Sequence, residues 1–175
     1  WDGKTVLELG AGCGIPGLVA AKAGARRVYV SDFNSRVVEN LKHNVNLNGC
    51  STTCTQLYLN WRDPSTWPEE EFDVVLGSDL VYQPDMVPLL CDALVGILAE
   101  SGKQFYYVCP ESGRLGGSLL LERLTRYFAL ISQTEASSDL RSNPLRNGDD
   151  ESCFLHFNEL QDTTNVSLLV FKRRT

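Results

Sequence analysis

Short apolar runs and longer amphipathic stretches take turns along the chain, and that rhythm predicts most of the architecture. Thr5–Leu9 is apolar enough for a buried strand, and Pro16–Ala23 reads as a short helix of small residues closed by Gly24. Arg27–Ser31 is a second strand, ending in Asp32-Phe33-Asn34. Between residues 35 and 48 the apolar positions Val37, Val38, Leu41, Val45 and Leu47 fall near helical spacing, and Asn48-Gly49 ends the run. Thr53–Leu59 is a third strand leading into Asn60-Trp61. Phe72–Gly77 is a fourth, apolar enough to be covered on both faces. A helix from Asp85 to Leu98, a strand Gln104–Cys109 and a helix Ser118–Tyr127 follow. Regular alternation of strand and helix means βαβ units and a parallel sheet.

The rhythm breaks near the end. Phe128–Thr134 and Val166–Lys172 both read as strands, with no crossover helix between them. Residues 135–151 are rich in Ser, Asn, Asp and Gly, and Cys153–Leu160 is ambiguous. The region 135–160 is therefore expected to be a loop or lid. One α/β domain spanning residues 1–175 accounts for the whole pattern.

The chemistry concentrates where the first strand turns. Gly12-Cys13-Gly14-Ile15-Pro16-Gly17 fits G-x-G-x-x-G, the dinucleotide fingerprint, and Asp32 follows at a suitable distance. Glycines there tolerate positive φ and let a backbone approach a ligand closely. Taken alone, that match leaves the ligand open. The wider string Glu8-x-Gly10-x-Gly12-x-Gly14 resembles motif I of the seven-strand S-adenosylmethionine (SAM) methyltransferases, and the resemblance implies that Glu8 lies near the cofactor's methionine end. A carboxylate suits a sulfonium cation better than it suits a pyrophosphate, so Glu8 favours SAM over NAD.

The seven-strand family's sheet also ends in an antiparallel pair, as expected here, with helices on both faces of a Rossmann-like core. A helix before the first strand belongs to that pattern, and this sequence opens at Trp1, too late to contain it. Asp32 is expected to accept the ribose hydroxyls, the alternative being a helix N-cap. Phe33 offers a face to adenine, or else fills the core. Trp61 offers another, with Asn60 as a polar contact, although packing of the loop onto the core would explain Trp61 equally well and explains Trp67 better.

Beyond the fourth strand comes Ser78-Asp79-Leu80-Val81-Tyr82. It lacks the Asn/Asp-Pro-Pro-Tyr string of nucleic-acid amino-methyltransferases. Asp79-x-x-Tyr82 resembles instead the D-x-x-Y motif of methyltransferase family 16, dominated by protein lysine methyltransferases. Glu8-Leu9-Gly10-Ala11-Gly12 and the tryptophan after the third strand match that family too. The resemblance implies methyl transfer to a protein lysine, in a translation factor or a chaperone. Ser78 would border the cofactor, and Asp79 and Tyr82 would hold the amine. Asp32-Phe33-Asn34 also resembles a histidine-modifying branch, so a histidine or small-molecule acceptor stays open, as does a catalytically silent partner-binding copy. The loop from Pro110 to Arg114 is expected to border the substrate.

Composition narrows the partners. A net charge of −6 argues against a nucleic-acid groove and suits a basic protein segment. No apolar run is long enough to span a membrane. The six cysteines are scattered without a C-x-x-C pair, and there are two histidines; no metal site is expected. Free core thiols fit a reducing compartment, the cytoplasm first and the nucleus as well. A monomer is expected.

Overall fold

The computed structural model describes residues 1–110, 115–136 and 166–175. Seven strands form one sheet: β1 (Thr5–Leu9), β2 (Arg27–Asp32), β3 (Cys54–Tyr58), β4 (Val74–Ser78), β5 (Gln104–Pro110), β6 (Phe128–Glu135) and β7 (Val166–Arg173). Their spatial order is β3-β2-β1-β4-β5-β7-β6. The first five in that row run parallel, whereas β7 is antiparallel to both β5 and β6. The expected mostly parallel sheet with an antiparallel end is thus the observed one.

Among the described residues four α-helices cover it: α1 (Ile15–Lys22), α2 (Ser35–Leu47), α3 (Met86–Ile97) and α4 (Gly117–Tyr127). Successive strand residues face opposite sides. Val6, Val28, Val30 and Val74 join Ala20, Leu41 and Val45 of α1 and α2 in one buried cluster. Leu7, Leu9, Val75, Phe105 and Phe171 join Leu90, Leu94, Leu120 and Leu124 of α3 and α4 in another. The central strand β1 is buried along its whole length, which is why its sequence runs apolar rather than alternating. Among the described residues no helix is long and apolar enough to cross a membrane.

Local chemistry sets the element ends. The Asn34 side chain accepts the Arg36 N–H at 3.0 Å, so Asn34, not Asp32, caps α2. The fourth strand begins at Val74, later than its apolar run suggests, because the Asp73 carboxylate turns aside. It accepts the Thr5 N–H at 2.8 Å and lies 3.7 Å from Lys103 Nζ. Within the turn-rich 62–71 stretch a single 3-10 turn forms over Pro64–Thr66.

The strand order carries the functional consequence. From β1 the chain steps outward through β2 and β3, then crosses back to β4 and β5. Loops leaving the C-terminal ends of β1 and β4 therefore diverge, and a crevice opens between them. That switch point is where open α/β sheets bind ligands.

Candidate active site

The turn after β1 is built from beneath. Glu8 is buried, and its Oε2 accepts the Gly17 N–H at 2.8 Å, reaching across the loop to the first turn of α1. Gly17 has to be glycine for this reason. A Cβ there would lie 2.6 Å from Glu8 Oε2 and 2.5 Å from Val30 Cγ1. Burial pushes the Glu8 carboxyl up to about 7, against the opposing pull of the Gly17 N–H. Ser31 Oγ donates to the Glu8 carbonyl at 2.7 Å, and Asn44 Nδ2 donates to the Cys13 carbonyl at 2.9 Å. Strand β2 and helix α2 thus both hold the loop in place.

The three loop glycines have different reasons to be there. Gly10, Gly12 and Gly14 all have positive φ, at 55°, 54° and 79°. A Cβ on Gly14 would meet Leu41 Cδ2 at 2.7 Å, and one on Gly10 would meet Leu80 Cδ2 at 2.8 Å. A Cβ on Gly12 would meet nothing within 4 Å. The ends of the loop are packed against the core, and its middle faces open space.

Asp32 ends β2 beside that opening. Its Oδ2 lies 3.4 Å from the Gly12 N and its Oδ1 accepts the Asn34 N–H at 2.9 Å. Both contacts hold the carboxylate at the rim, next to the glycine turn. Phe33, its neighbour, is 65% exposed, so it is not the core residue that the alternative reading allowed. Trp61 packs partly on the core and also comes within 4.0 Å of a Cβ built on Gly10, so it lies beside the cofactor loop while plugging its own. Asn60 serves its loop. Its Oδ1 accepts the Arg62 N–H at 3.0 Å, and its carbonyl accepts Trp67 Nε1 at 3.0 Å. Trp67 is a packing residue, seated against Gly96.

On the other side of the crevice, Ser78 is exposed at the end of β4 and pairs with Val108 of β5. Asp79 follows with φ 49°, the sole non-glycine residue in the left-handed region among the described residues, and its N–H donates to the Val108 carbonyl at 2.8 Å. Aspartate tolerates that conformation at a modest cost, and such strain gathers at functional positions. Tyr82 is 59% exposed. Leu80 and Val81 between them are buried. The expected sites at Glu8, Gly10, Gly12, Gly14, Asp32, Phe33, Trp61, Ser78, Asp79 and Tyr82 thus gather around one end of the sheet. Residues 111–114 and the expected 135–160 lid, beyond Ala136, lie outside the described residues.

A sequence profile described as lysine methyltransferase matches residues 1–133. The chain belongs to the lysine methyltransferase family. Protein-lysine N-methyltransferase EEF2KMT from Homo sapiens is 37% identical over 109 residues, covering 54% of this chain and 32% of that protein. Protein N-terminal and lysine N-methyltransferase EFM7 from Candida glabrata is 30% identical over 172 residues, covering 79% and 64%. EEF1A lysine methyltransferase 3 from Xenopus tropicalis is 38% identical over 98 residues, covering 54% and 42%. The chain spans between 32% and 64% of the length of these relatives.

Solved structures agree on the fold. The [4+2]-cyclase SpnF superposes with a TM-score of 0.73 at 15% identity, covering 99% of this chain and 76% of that one. TrmK from M. capricolum, solved with the cofactor product S-adenosyl-homocysteine, gives 0.64 at 10% identity, covering 98% and 63%.

The family's cofactor is S-adenosylmethionine, and the residues of this chain fit it. The space over Gly12 has no side chain to fill it, a carboxylate (Asp32) stands beside it, Trp61 lies near Gly10 of the same turn, and Phe33, next to Asp32, is exposed. Glu8 beneath, in its ionised form, matches a cationic ligand and would oppose a pyrophosphate. A signal for the role of Gly17 was present in the sequence: a buried acid nine residues before a glycine at the start of a helix. The link between Leu80 and two glycines had no such signal.

Proposed function

We propose that this protein is a SAM-dependent N-methyltransferase whose acceptor is a lysine side chain of a protein. The observation that carries the reading is the position of Asp79 and Tyr82. They follow the end of β4, the strand that pairs in parallel with β1 and so brings this segment beside the glycine turn. Family membership and the names of the relatives support the acceptor class.

The chemistry required is modest in kind and demanding in geometry. When bound, SAM supplies a methyl group on a sulfonium, an electrophile that an uncharged amine attacks in line. A lysine ammonium, with an ordinary pKa of ~10.4, has to shed its proton first. The Asp79 carboxylate draws the ammonium in and orients it. The Tyr82 ring walls the alkyl stem, and its hydroxyl accepts or donates at the nitrogen. Desolvation and the nearby cation both favour the neutral amine. Positioning then lowers most of the barrier. With SAM bound, Asp32 would hold the ribose hydroxyls, Phe33 and Trp61 would offer faces to the adenine with Asn60 as a polar contact, Ser78 would border the cofactor, and Glu8 would anchor the turn near its methionine end.

The name of the Candida glabrata relative brings in a second acceptor, a protein N-terminal amine. Its ordinary pKa of about 7.7–8.0 needs less adjustment. We read the protein as a monomer; its acidic net charge supports a basic protein segment rather than nucleic acid as the partner, and the free thiols support the cytoplasm or nucleus. A translation elongation factor is the first substrate to try, since one relative is named for EEF1A.

The test is calorimetric titration with SAM and then NAD, followed by labelled methyl transfer to EEF1A made in bacteria, with mass spectrometry of the product. SAM binding and a methylated lysine are expected. A methylated N-terminus would move the acceptor to the second reading. SAM binding without transfer to EEF1A or to lysine-rich proteins of a cell extract would count against catalysis and for a silent copy of the fold.

A further inference from the structure

Asp79 and Tyr82 must be held to well under an ångström for in-line transfer, yet Tyr82 is 59% exposed and Asp79 only partly covered. Beside the bond from the Asp79 N–H to the Val108 carbonyl, the two buried residues between them help to set their placement. A Cβ built on Gly10 would lie 2.8 Å from Leu80 Cδ2, and one built on Gly77 would lie 2.6 Å from Leu80 Cδ1 and 3.2 Å from its Cγ. The two methyl groups of Leu80 therefore occupy the room that two missing side chains leave, one on the cofactor turn and one on β4. Leu80 is 5% exposed, so this is a dry and closely filled slot. Val81 is seated in the same manner, with its Cγ1 2.4 Å from a Cβ built on Gly116, just before α4.

We infer that Leu80 is a positioning residue for methyl transfer, its forked side chain locking the Asp79–Tyr82 loop to the glycine turn at a fixed separation. The inference rests on the acceptor reading above. Gly10 touches the cofactor side and Gly77 supports the acceptor side, so one side chain sets the register between the two halves of the reaction. A shorter residue such as alanine cannot reach both glycines. Gly77 has no positive φ, which means that its lack of a side chain is explained by the Leu80 contact and by Phe105 Cε2 at 3.2 Å, not by backbone conformation.

The experiment compares Leu80→Ala with Leu94→Ala, which empties a fully buried position on α3. Both should lose about 10 °C in Tm. Assayed well below either Tm on bacterially made EEF1A, Leu80→Ala should lose about a hundredfold in kcat while its Kd for SAM moves only severalfold. Leu94→Ala should keep its kcat. Gly77→Ala should reproduce the kcat loss by evicting Leu80 Cδ1, and Gly77→Ala/Leu80→Ala should recover part of it, because the new methyl refills the emptied slot. Equal kcat values for Leu80→Ala and Leu94→Ala would overturn the inference, as would additive losses in the double variant. A wild type that binds SAM but methylates nothing counts instead against the acceptor reading. The brace is then tested by hydrogen exchange, where amides 79–82 should exchange at least about tenfold faster in Leu80→Ala, and unchanged rates would overturn it.

Discussion

Replacing Glu8 by Gln should change how stability depends on pH, in a direction and by an amount that the structure specifies. The folded protein holds this carboxyl at about 7, against an ordinary value of 4.5, because burial penalises its charge. Between those two values the folded state binds a proton that the unfolded state has released. Stability therefore falls as pH rises through this window, and the loss is complete above about 7. At about 1.4 kcal/mol for each pH unit, the total is about 3 kcal/mol. Glutamine carries no charge to bury, and its carbonyl can still accept the Gly17 N–H. Any fixed cost of its buried NH2 group is the same at every pH and cancels in the comparison.

The assay is thermal or urea unfolding of both proteins at about pH 5 and about pH 8. The variant should gain on the wild type by about 3 kcal/mol between the two, or roughly 5–10 °C in Tm for a domain of this size. Asp73 and Glu70, whose pKa values are lowered by the Thr5 N–H and by the Tyr29 hydroxyl respectively, titrate alike in both proteins and drop out of the difference. Parallel pH curves for the two proteins would refute the reasoning, since they would mean that Glu8 is not held near neutrality. Affinity for SAM should move the other way. The wild type should bind more tightly as pH rises through about 7 and lose that dependence in Glu8→Gln, because the ionised carboxylate is the form that a cation prefers.

Asp79→Asn keeps a residue that accepts a left-handed φ, so Tm should stay within about 2 °C while transfer falls at least about tenfold; retained transfer would remove the carboxylate from the mechanism. Tyr82→Phe should leave SAM binding intact by calorimetry and slow the transfer step in single-turnover kinetics, and unchanged turnover would exclude the hydroxyl. Asp32→Ala should weaken SAM binding by about tenfold or more, since it removes the rim carboxylate and its contacts to Gly12 and Asn34. Gly17→Ala should fail to fold or lose more than about 3 kcal/mol in urea unfolding, because its Cβ cannot avoid Glu8 and Val30.

Much of the fold was legible because it rests on local signals. Strand and helix order follows from apolar periodicity, and most element ends fall within a residue or two of where glycine, proline and asparagine mark them. The glycine turn and its acids were legible for a similar reason, since a ligand loop needs particular residue types at fixed spacing. The rest depended on contacts between distant segments. Asp32 and Asn34 are both good N-caps by type, and only the Arg36 N–H at the Asn34 side chain decides between them. Asn60 is a polar residue at a strand end by type, and only the folded chain shows its side-chain oxygen accepting the Arg62 N–H of the following turn. Leu80 is an ordinary apolar residue in sequence. Its place between Gly10 and Gly77 exists only once β1 and β4 lie side by side.

The antiparallel end of the sheet closes on itself in a way that bears on how such a protein diversifies. After β6 the Ala136 N–H donates to the Val166 carbonyl at 2.8 Å, so residues 136 and 166 are held together as one hydrogen-bonded pair. A gate of that kind fixes the two ends of whatever is spliced between them and shields the strands from its length. Doubling such an excursion costs only about 0.6 kcal/mol in closure entropy. The length of chain between residues 136 and 166 can therefore vary at little cost to the pairing of β6 with β7.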